Sequence, residues 1–114
     1  MDLDIKQIGN ICALKLKGRF NSVVCVREFD TAVESALASG HINLILDLAD
    51  MPVIDSAGIG SVVNALKRAR QAGGDVKLVN PSPFAMKTFK MVGILSLFGV
   101  HASEDEASAA FGSK

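Results

Sequence analysis

The ten residues Met51 to Gly60, MPVIDSAGIG, place a carboxylate directly before a hydroxyl, Asp55-Ser56, and follow them with two glycines, Gly58 and Gly60. A serine hydroxyl can act as a nucleophile, cap a helix or accept a phosphoryl group, and each use demands different neighbours. Nucleophilic catalysis needs a base within hydrogen-bond reach. The chain has two histidines, His41 and His101, in no recognisable nucleophile-base motif, so both read as surface or loop residues. Gly58-Ile59-Gly60 is too short for a dinucleotide fingerprint, and no Walker sequence accompanies it. No catalytic residue, enzymatic activity or cofactor is expected. A phosphoryl acceptor needs only exposure in a setting that tolerates the added charge. Asp55 is a good N-cap, which puts Ser56, Ala57 and Gly58 in a first helical turn whose N–H groups lack intrahelical partners and favour an anion.

A purely structural reading competes with this one. Asp55-Ser56 can be only a capping pair, and the glycines can serve only close packing. Two glycines inside a helical pattern cost roughly 2 kcal/mol relative to alanine, so they call for a reason beyond propensity. Tight packing and close approach of a partner's backbone are both sufficient reasons, and the spacing alone leaves both open.

The elements that must position this segment follow from hydrophobic periodicity. Alternation at Leu3 and Ile5, and again through Ile11, Ala13, Leu14 and Leu16, predicts two strands joined by a hairpin turn at Gly9-Asn10. Asn21 or Ser22 can cap a first helix with Val26, Phe29, Val33, Ala36 and Leu37 at helical spacing, stopped at Gly40. The nearly unbroken apolar run from Ile42 to Leu48 suits a central parallel strand covered on both faces. A second helix then presents Ile59, Val62, Val63, Leu66 and Ala69 on one face and ends at Gly73-Gly74. Val76 to Val79 form a further strand, Ser82 and Pro83 open a third helix running to about Val92, and a short strand lies near Gly99 to His101. Ser103 and Glu106 make a capping box for a last helix expected to bury Ala107, Ala110 and Phe111. The order ββαβαβα implies an α/β fold: a small mixed sheet of four to five strands with packed helices, residues 1–114 forming one domain.

Composition narrows the partners. Twelve lysines and arginines balance twelve aspartates and glutamates, so nothing steers the chain toward nucleic acid or an anionic membrane. No apolar run approaches the ~18 residues of a membrane span, and the acidic start Met1 to Asp4 is unlike a secretory signal. Cys12 and Cys25 lack metal-ligand spacing and are too few for a disulfide framework, so no metal is expected and a cytoplasmic location follows. On the second helix, Ala57, Ser61, Asn64 and Arg68 succeed one another at three- and four-residue steps and form a candidate partner-binding stripe leading away from Ser56.

Asp55-Ser56-Ala57-Gly58-Ile59-Gly60 resembles the Asp-Ser-Ser/Thr/Ala-Gly-Leu-Gly signature of STAS-domain anti-sigma-factor antagonists. The resemblance extends in order along nearly the whole chain: Leu44 to Leu48 for the strand leading in, Gly18 to Asn21 for the turn before the first helix, Ser103 to Ala107 for the start of the last. It implies a STAS-like fold and assigns Ser56 as a phosphorylation site, with Asp55, Ala57, Gly58, Ile59 and Gly60 as the switch loop. The implied partners are an anti-sigma factor that is also a serine-protein kinase, bound when Ser56 is unmodified, and a PP2C-type phosphatase that reverses the modification. Arg19 and Asn21 stand where the family often has acidic residues, which bears on partner identity; Asn21 joins the candidate partner-binding residues. The alternative within the same fold is a regulatory subunit of a transporter ATPase or a signalling scaffold, without a sigma factor.

Overall fold

Period-two alternation sets the first two elements, and the rest of the sheet is laid down beside them. A computed structural model describes residues 2–20 and 22–111 of the chain. Strands β1 (Asp2–Ile8) and β2 (Ile11–Lys17) form an antiparallel hairpin through Gly9-Asn10. Gly9 has φ +58° while Asn10 does not enter the positive region, the pattern of a type II′ turn with glycine in its first central position. Helix α1 (Val23–Ala38) carries the chain back to β3 (Asn43–Asp50), α2 (Ser56–Gln71) to β4 (Asp75–Val79), and α3 (Pro83–Met91) with a 3-10 turn at Leu95–Leu97 to β5 (Gly99–His101). Helix α4 (Glu104–Phe111) follows. The strand order is β1-β2-β3-β4-β5, antiparallel at the first pair and parallel thereafter, so the apolar strand β3 is central, as its composition requires.

Alternate residues of the central strands feed two cores. Leu14 and Leu16 of β2, Leu44, Leu46 and Leu48 of β3, and Val76 and Leu78 of β4 meet Phe29 and Val33 of α1, Val62, Leu66 and Ala69 of α2, and Phe89 of α3. On the opposite face Ala13, Ile45 and Val79 are covered by Ala107 of α4, with Phe111 packed at the margin. Fully burying one such leucine, valine or phenylalanine is worth about 1.5–3 kcal/mol, so the larger cluster carries most of the stability.

Helix caps fall largely where the sequence puts them. Ser22 accepts the Cys25 N–H at 3.2 Å, and Ser103 accepts the Glu106 N–H at 3.2 Å. Cys25 joins the buried face of α1, and Val26 and Leu37 lie at its edge. One expectation fails: Ala110 is exposed. In so short a helix the residue that returns to the sheet after Ala107 is Phe111, four positions on, while Ala110 turns toward solvent; the Phe111 ring also receives Lys77 Nζ at 5.1 Å from its centroid.

Ser82 ties α3 to the segment after β3. It caps α3 by accepting the Ala85 N–H at 3.1 Å, donates its hydroxyl to the Met51 carbonyl at 2.7 Å, and its own N–H donates to the Leu48 carbonyl at 3.0 Å. Ser82→Ala removes the cap and leaves a buried carbonyl without its donor, so unfolding in denaturant should show a loss of about 1–3 kcal/mol. A loss under about 0.5 kcal/mol, the range of neutral surface changes, would show that the latch contributes little.

Candidate functional site

The segment between β3 and α2 is fixed from two sides. Where β2 advances from Lys15 to Lys17, β3 advances from Asp47 to Asp50, a bulge in which Asp47 Oδ1 accepts the Ala49 N–H at 3.1 Å. The Gly18 N–H then donates to the Asp50 carbonyl (2.9 Å), the Phe20 N–H to the Val53 carbonyl (2.8 Å), and the Asp55 N–H back to the Phe20 carbonyl (3.2 Å). Phe20 and Ile54 thereby form a one-residue parallel bridge beyond the sheet. The Phe20 ring is fully buried and meets Phe29 with centroids 5.3 Å apart, which anchors the bridge in the core. Ser82 holds the other flank through Met51.

Asp55 leaves this clamp extended, with φ −100° and ψ −177°, and starts α2. Its Oδ1 accepts the Gly58 N–H at 2.9 Å, and its carbonyl accepts the Ile59 N–H at 2.9 Å. Asp55 therefore performs the capping alone. Ser56, the first helical residue, is exposed, and its hydroxyl bonds no described residue. The Ser56 and Ala57 N–H groups precede the first intrahelical bond, so the positive end of the helix lies beside the hydroxyl.

Nothing in the described residues activates Ser56 as a nucleophile. His41 stands before β3, at the opposite end of that strand, and His101 pairs with Val79 across the edge strand β5. Cys12 is buried, and desolvation pushes its thiol pKa up, away from the reactive thiolate. Among the described residues no three or more His, Cys, Asp or Glu side chains are grouped to hold a metal, and no helix is long and apolar enough to cross a membrane.

The two glycines have different reasons. A Cβ built on Gly58 would lie 2.9 Å from Ile54 Cγ1, Phe20 Cδ1 and the Phe20 carbonyl oxygen, so Gly58 lets α2 close on the Phe20–Ile54 bridge. A Cβ on Gly60 meets nothing within 4 Å, and the residue is exposed. Packing explains Gly58 and leaves Gly60 unexplained within the free chain.

The partner-binding stripe read from the sequence needs correction. Ser61 is only 7% exposed and belongs to the buried face of α2 with Gly58, Val62 and Ala65. Arg68 is partly covered and lies 3.8 Å from Glu34 of α1. Repeated four-residue steps rotate away from the starting face, and from Ala57 one such step already enters the core side. The exposed line from Ser56 instead runs through Ala57, Gly60, Asn64, Lys67 and Gln71, which keeps only Ala57 and Asn64 of the expected set. Asn21 lies outside the described residues. Sequence reasoning also missed exposed apolar side chains at this end of the sheet: Phe84 (42% exposed) at the start of α3, grouped with Met51 and Pro52, and Val23 (73%) and Val24 (67%) at the start of α1, which line a groove with Leu3 and Ile5 of β1. Their positions as the first or second residue of capped helices were the available signal.

Comparison with known proteins matches this arrangement throughout its length. The model of the STAS domain matches residues 2–107. BtrV of Bordetella bronchiseptica, named among anti-sigma factor antagonists, is 30% identical over 97% of this chain and 95% of its own. The anti-sigma-B factor antagonist of Bacillus subtilis is 26% identical over 92% of this chain and 94% of its own. Among solved structures, the anti-sigma factor antagonist SpoIIAA in its unphosphorylated form superposes with a TM-score of 0.83 at 22% identity, covering 96% of this chain and 95% of that one. Its phosphorylated form, from Bacillus, gives 0.78 at 22% identity, covering 96% and 98%. At that identity the structures speak to the fold, and the five-stranded mixed sheet with four helices is theirs. With the family model spanning the sheet, the clamp and the Asp55-Ser56 turn alike, this chain belongs to the STAS-domain family of anti-sigma-factor antagonists.

Proposed function

We propose that the chain is a cytoplasmic, non-enzymatic switch that binds an anti-sigma factor through the surface around Ser56 when that serine is unmodified, thereby releasing a sigma factor. Phosphorylation of Ser56 by the same partner, acting as a serine-protein kinase, ends the binding, and a PP2C-type phosphatase restores it. The observation that carries this reading is that Ser56 is exposed at the first position of α2 with its hydroxyl unused, because Asp55 supplies the cap. A serine kept only for capping has no task left to do there. The names of the similar proteins support the antagonist role, and the existence of SpoIIAA in both phosphorylated and unphosphorylated forms supports the switch.

The energetics favour a switch at the interface over one in the fold. A phosphate adds about −1.5 to −2 charges at pH 7. In the free chain the helix N-terminus favours it by roughly 0.3–1 kcal/mol, while the Asp55 carboxylate opposes it on a similar, solvent-screened scale. In a complex the same charge would lose water against a surface shaped for a neutral hydroxyl, and an unpaired buried charge costs about 3–5 kcal/mol, equivalent to a hundredfold or greater loss of affinity. Phe84, exposed beside Met51 and Pro52, adds to that penalty, since an apolar neighbour excludes the water that would solvate the phosphate.

Partner affinity and thermal melting of a Ser56 series test the proposal. Ser56→Ala should bind as the unmodified protein does and stay bound in the presence of ATP. Ser56→Asp and the phosphoprotein should melt cooperatively near the parent temperature and bind at least about a hundredfold more weakly. Equal affinities across the series, or capture of a transport ATPase in place of a kinase-type partner from native lysate, would overturn it.

The glycines give a second test with opposite signs. Gly60→Ala gains helix propensity in open space and should stabilise the free chain by up to about 1 kcal/mol while weakening partner binding. Gly58→Ala must push into the Phe20–Ile54 bridge, an overpacking cost of about 1–3 kcal/mol that exceeds the propensity gain. Gly60→Ala with unchanged partner affinity would remove that face of α2 from the interface.

A further inference from the structure

The two edges of the sheet are treated differently. Strand β5 is three residues long, too short to template another chain, whereas β1 runs for seven residues with neither proline nor bulge and pairs on one side only. The direction of its free backbone groups follows from two bonds made by the residues that flank β2: the Asn10 carbonyl accepts from Asn43 and the Gly18 N–H donates to Asp50, both toward β3. Even-numbered residues of β2 therefore face β3 and odd-numbered ones face β1, where they pair with Asp2, Asp4, Lys6 and Ile8. Leu3, Ile5 and Gln7 are left with their N–H and C=O groups directed at the open edge.

Side chains on this edge complete a self-complementary surface. Leu3, Ile5 and Gln7 lie opposite Leu16, Leu14 and Cys12, hence on the face that carries α1, and Asp2, Asp4 and Lys6 lie on the other. Beside β1 a groove of about 620 Å³ opens onto α1, lined by Ile5, Val23, Val24 and Ala32. Ile5 is 52% exposed. Arg27 and Glu28 border the groove with one charge of each sign, so the rim does not repel a second copy of itself.

The geometry points to a second copy of this chain as the occupant of that edge, the two β1 strands pairing antiparallel about a twofold axis at Ile5. Of the registers that keep core face with core face, centring on Ile5 uses all three outward residues on each strand: Ile5 opposite Ile5 of the copy, Leu3 opposite Gln7, and Gln7 opposite Leu3. On the other face it sets Asp4 opposite Lys6 twice, beside the ion pairs these already make with Lys17 (3.2 Å) and Glu104 (3.6 Å), and Asp2 opposite Ile8 at the ends. Centring on Asp4 or on Lys6 uses two outward residues per strand and opposes like charges, Asp4 to Asp4 or Lys6 to Lys6, which is destabilising. A shift by one residue sets apolar against charged faces. The ten-stranded sheet so formed leaves Ser56, at the start of α2, outside the pairing.

Sedimentation equilibrium of the isolated, unphosphorylated protein, with no partner present, tests this independently of the role of Ser56. The expected result is a concentration-dependent dimer. Ile5→Pro removes an outward N–H and spares the β1–β2 ladder, so it should abolish the dimer. Asp4→Lys should weaken it about tenfold, and adding Lys6→Asp to Asp4→Lys should restore it. Ile5→Cys should give an oxidised, covalently linked dimer, since facing residues across such a pair fall within disulfide reach, whereas Gln7→Cys should not. Thermal melts within a few degrees of the parent exclude unfolding as the cause. A monomer at all concentrations, a dimer indifferent to these changes, or one linked through Gln7→Cys and not Ile5→Cys would overturn the inference.

Discussion

The site depends on one short piece of backbone pairing. Phe20 donates to Val53 and accepts from Asp55, and its ring is driven into the core against Phe29. These contacts convert what would be a five-residue surface loop into a continuation of the β2–β3 ladder. The start of α2 is thus defined to the residue, and Gly58 allows α2 to close on Phe20 with no Cβ between them. Without that pairing, Asp55 could cap a helix anywhere along a mobile loop, and the hydroxyl that follows would have no fixed relation to its surroundings.

A fixed position matters because a phosphoswitch that acts at an interface needs a free protein that changes little. A phosphate at Ser56 would enter a field already near balance, the helix N-terminus on one side and the Asp55 carboxylate on the other. The clamp on Asp55 and the Ser82 latch on Met51 oppose rearrangement by neutral backbone bonds, which the new charge does not directly compete for. In the proposed switch, discrimination between the two forms would fall to the partner, with desolvation of the phosphate as the dominant cost.

How much of this the sequence discloses follows from the range of the interactions involved. The hairpin, the central position of β3, the Ser22, Asp55 and Ser82 caps and the last strand are legible because periodicity and capping are local. The Phe20–Ile54 bridge, the bulge after Asp47 and the bond from Ser82 to Met51 join residues far apart in the chain, and no local pattern announces them. The partner face was half legible. Ser56 and Asn64 are exposed as expected, but the rotation of α2 was misjudged at Ser61, because a small polar residue fits a tight helix–sheet contact as well as it fits solvent. The two glycines look alike in sequence and separate only when the space beside each is known.

The free edge and the switch share a cause. A hairpin that opens the chain leaves β1 at the margin of the sheet, and the parallel crossovers that follow place the starts of α1, α2 and α3 at the C-terminal ends of β2, β3 and β4. The topology therefore assigns backbone pairing capacity to one border and the start of α2 to the middle of one end of the sheet. An association through β1 draws on main-chain hydrogen bonds and shape, which a phosphate at Ser56 does not touch. The binding proposed around Ser56 would draw on its hydroxyl, which a phosphate replaces directly. Two copies joined at the edge would present two such surfaces at a fixed separation, so a partner that is itself dimeric could engage both, and the loss of affinity from one phosphate at each site would compound. A sharper response to phosphorylation then comes from connectivity alone, with no conformational signal passing through either domain.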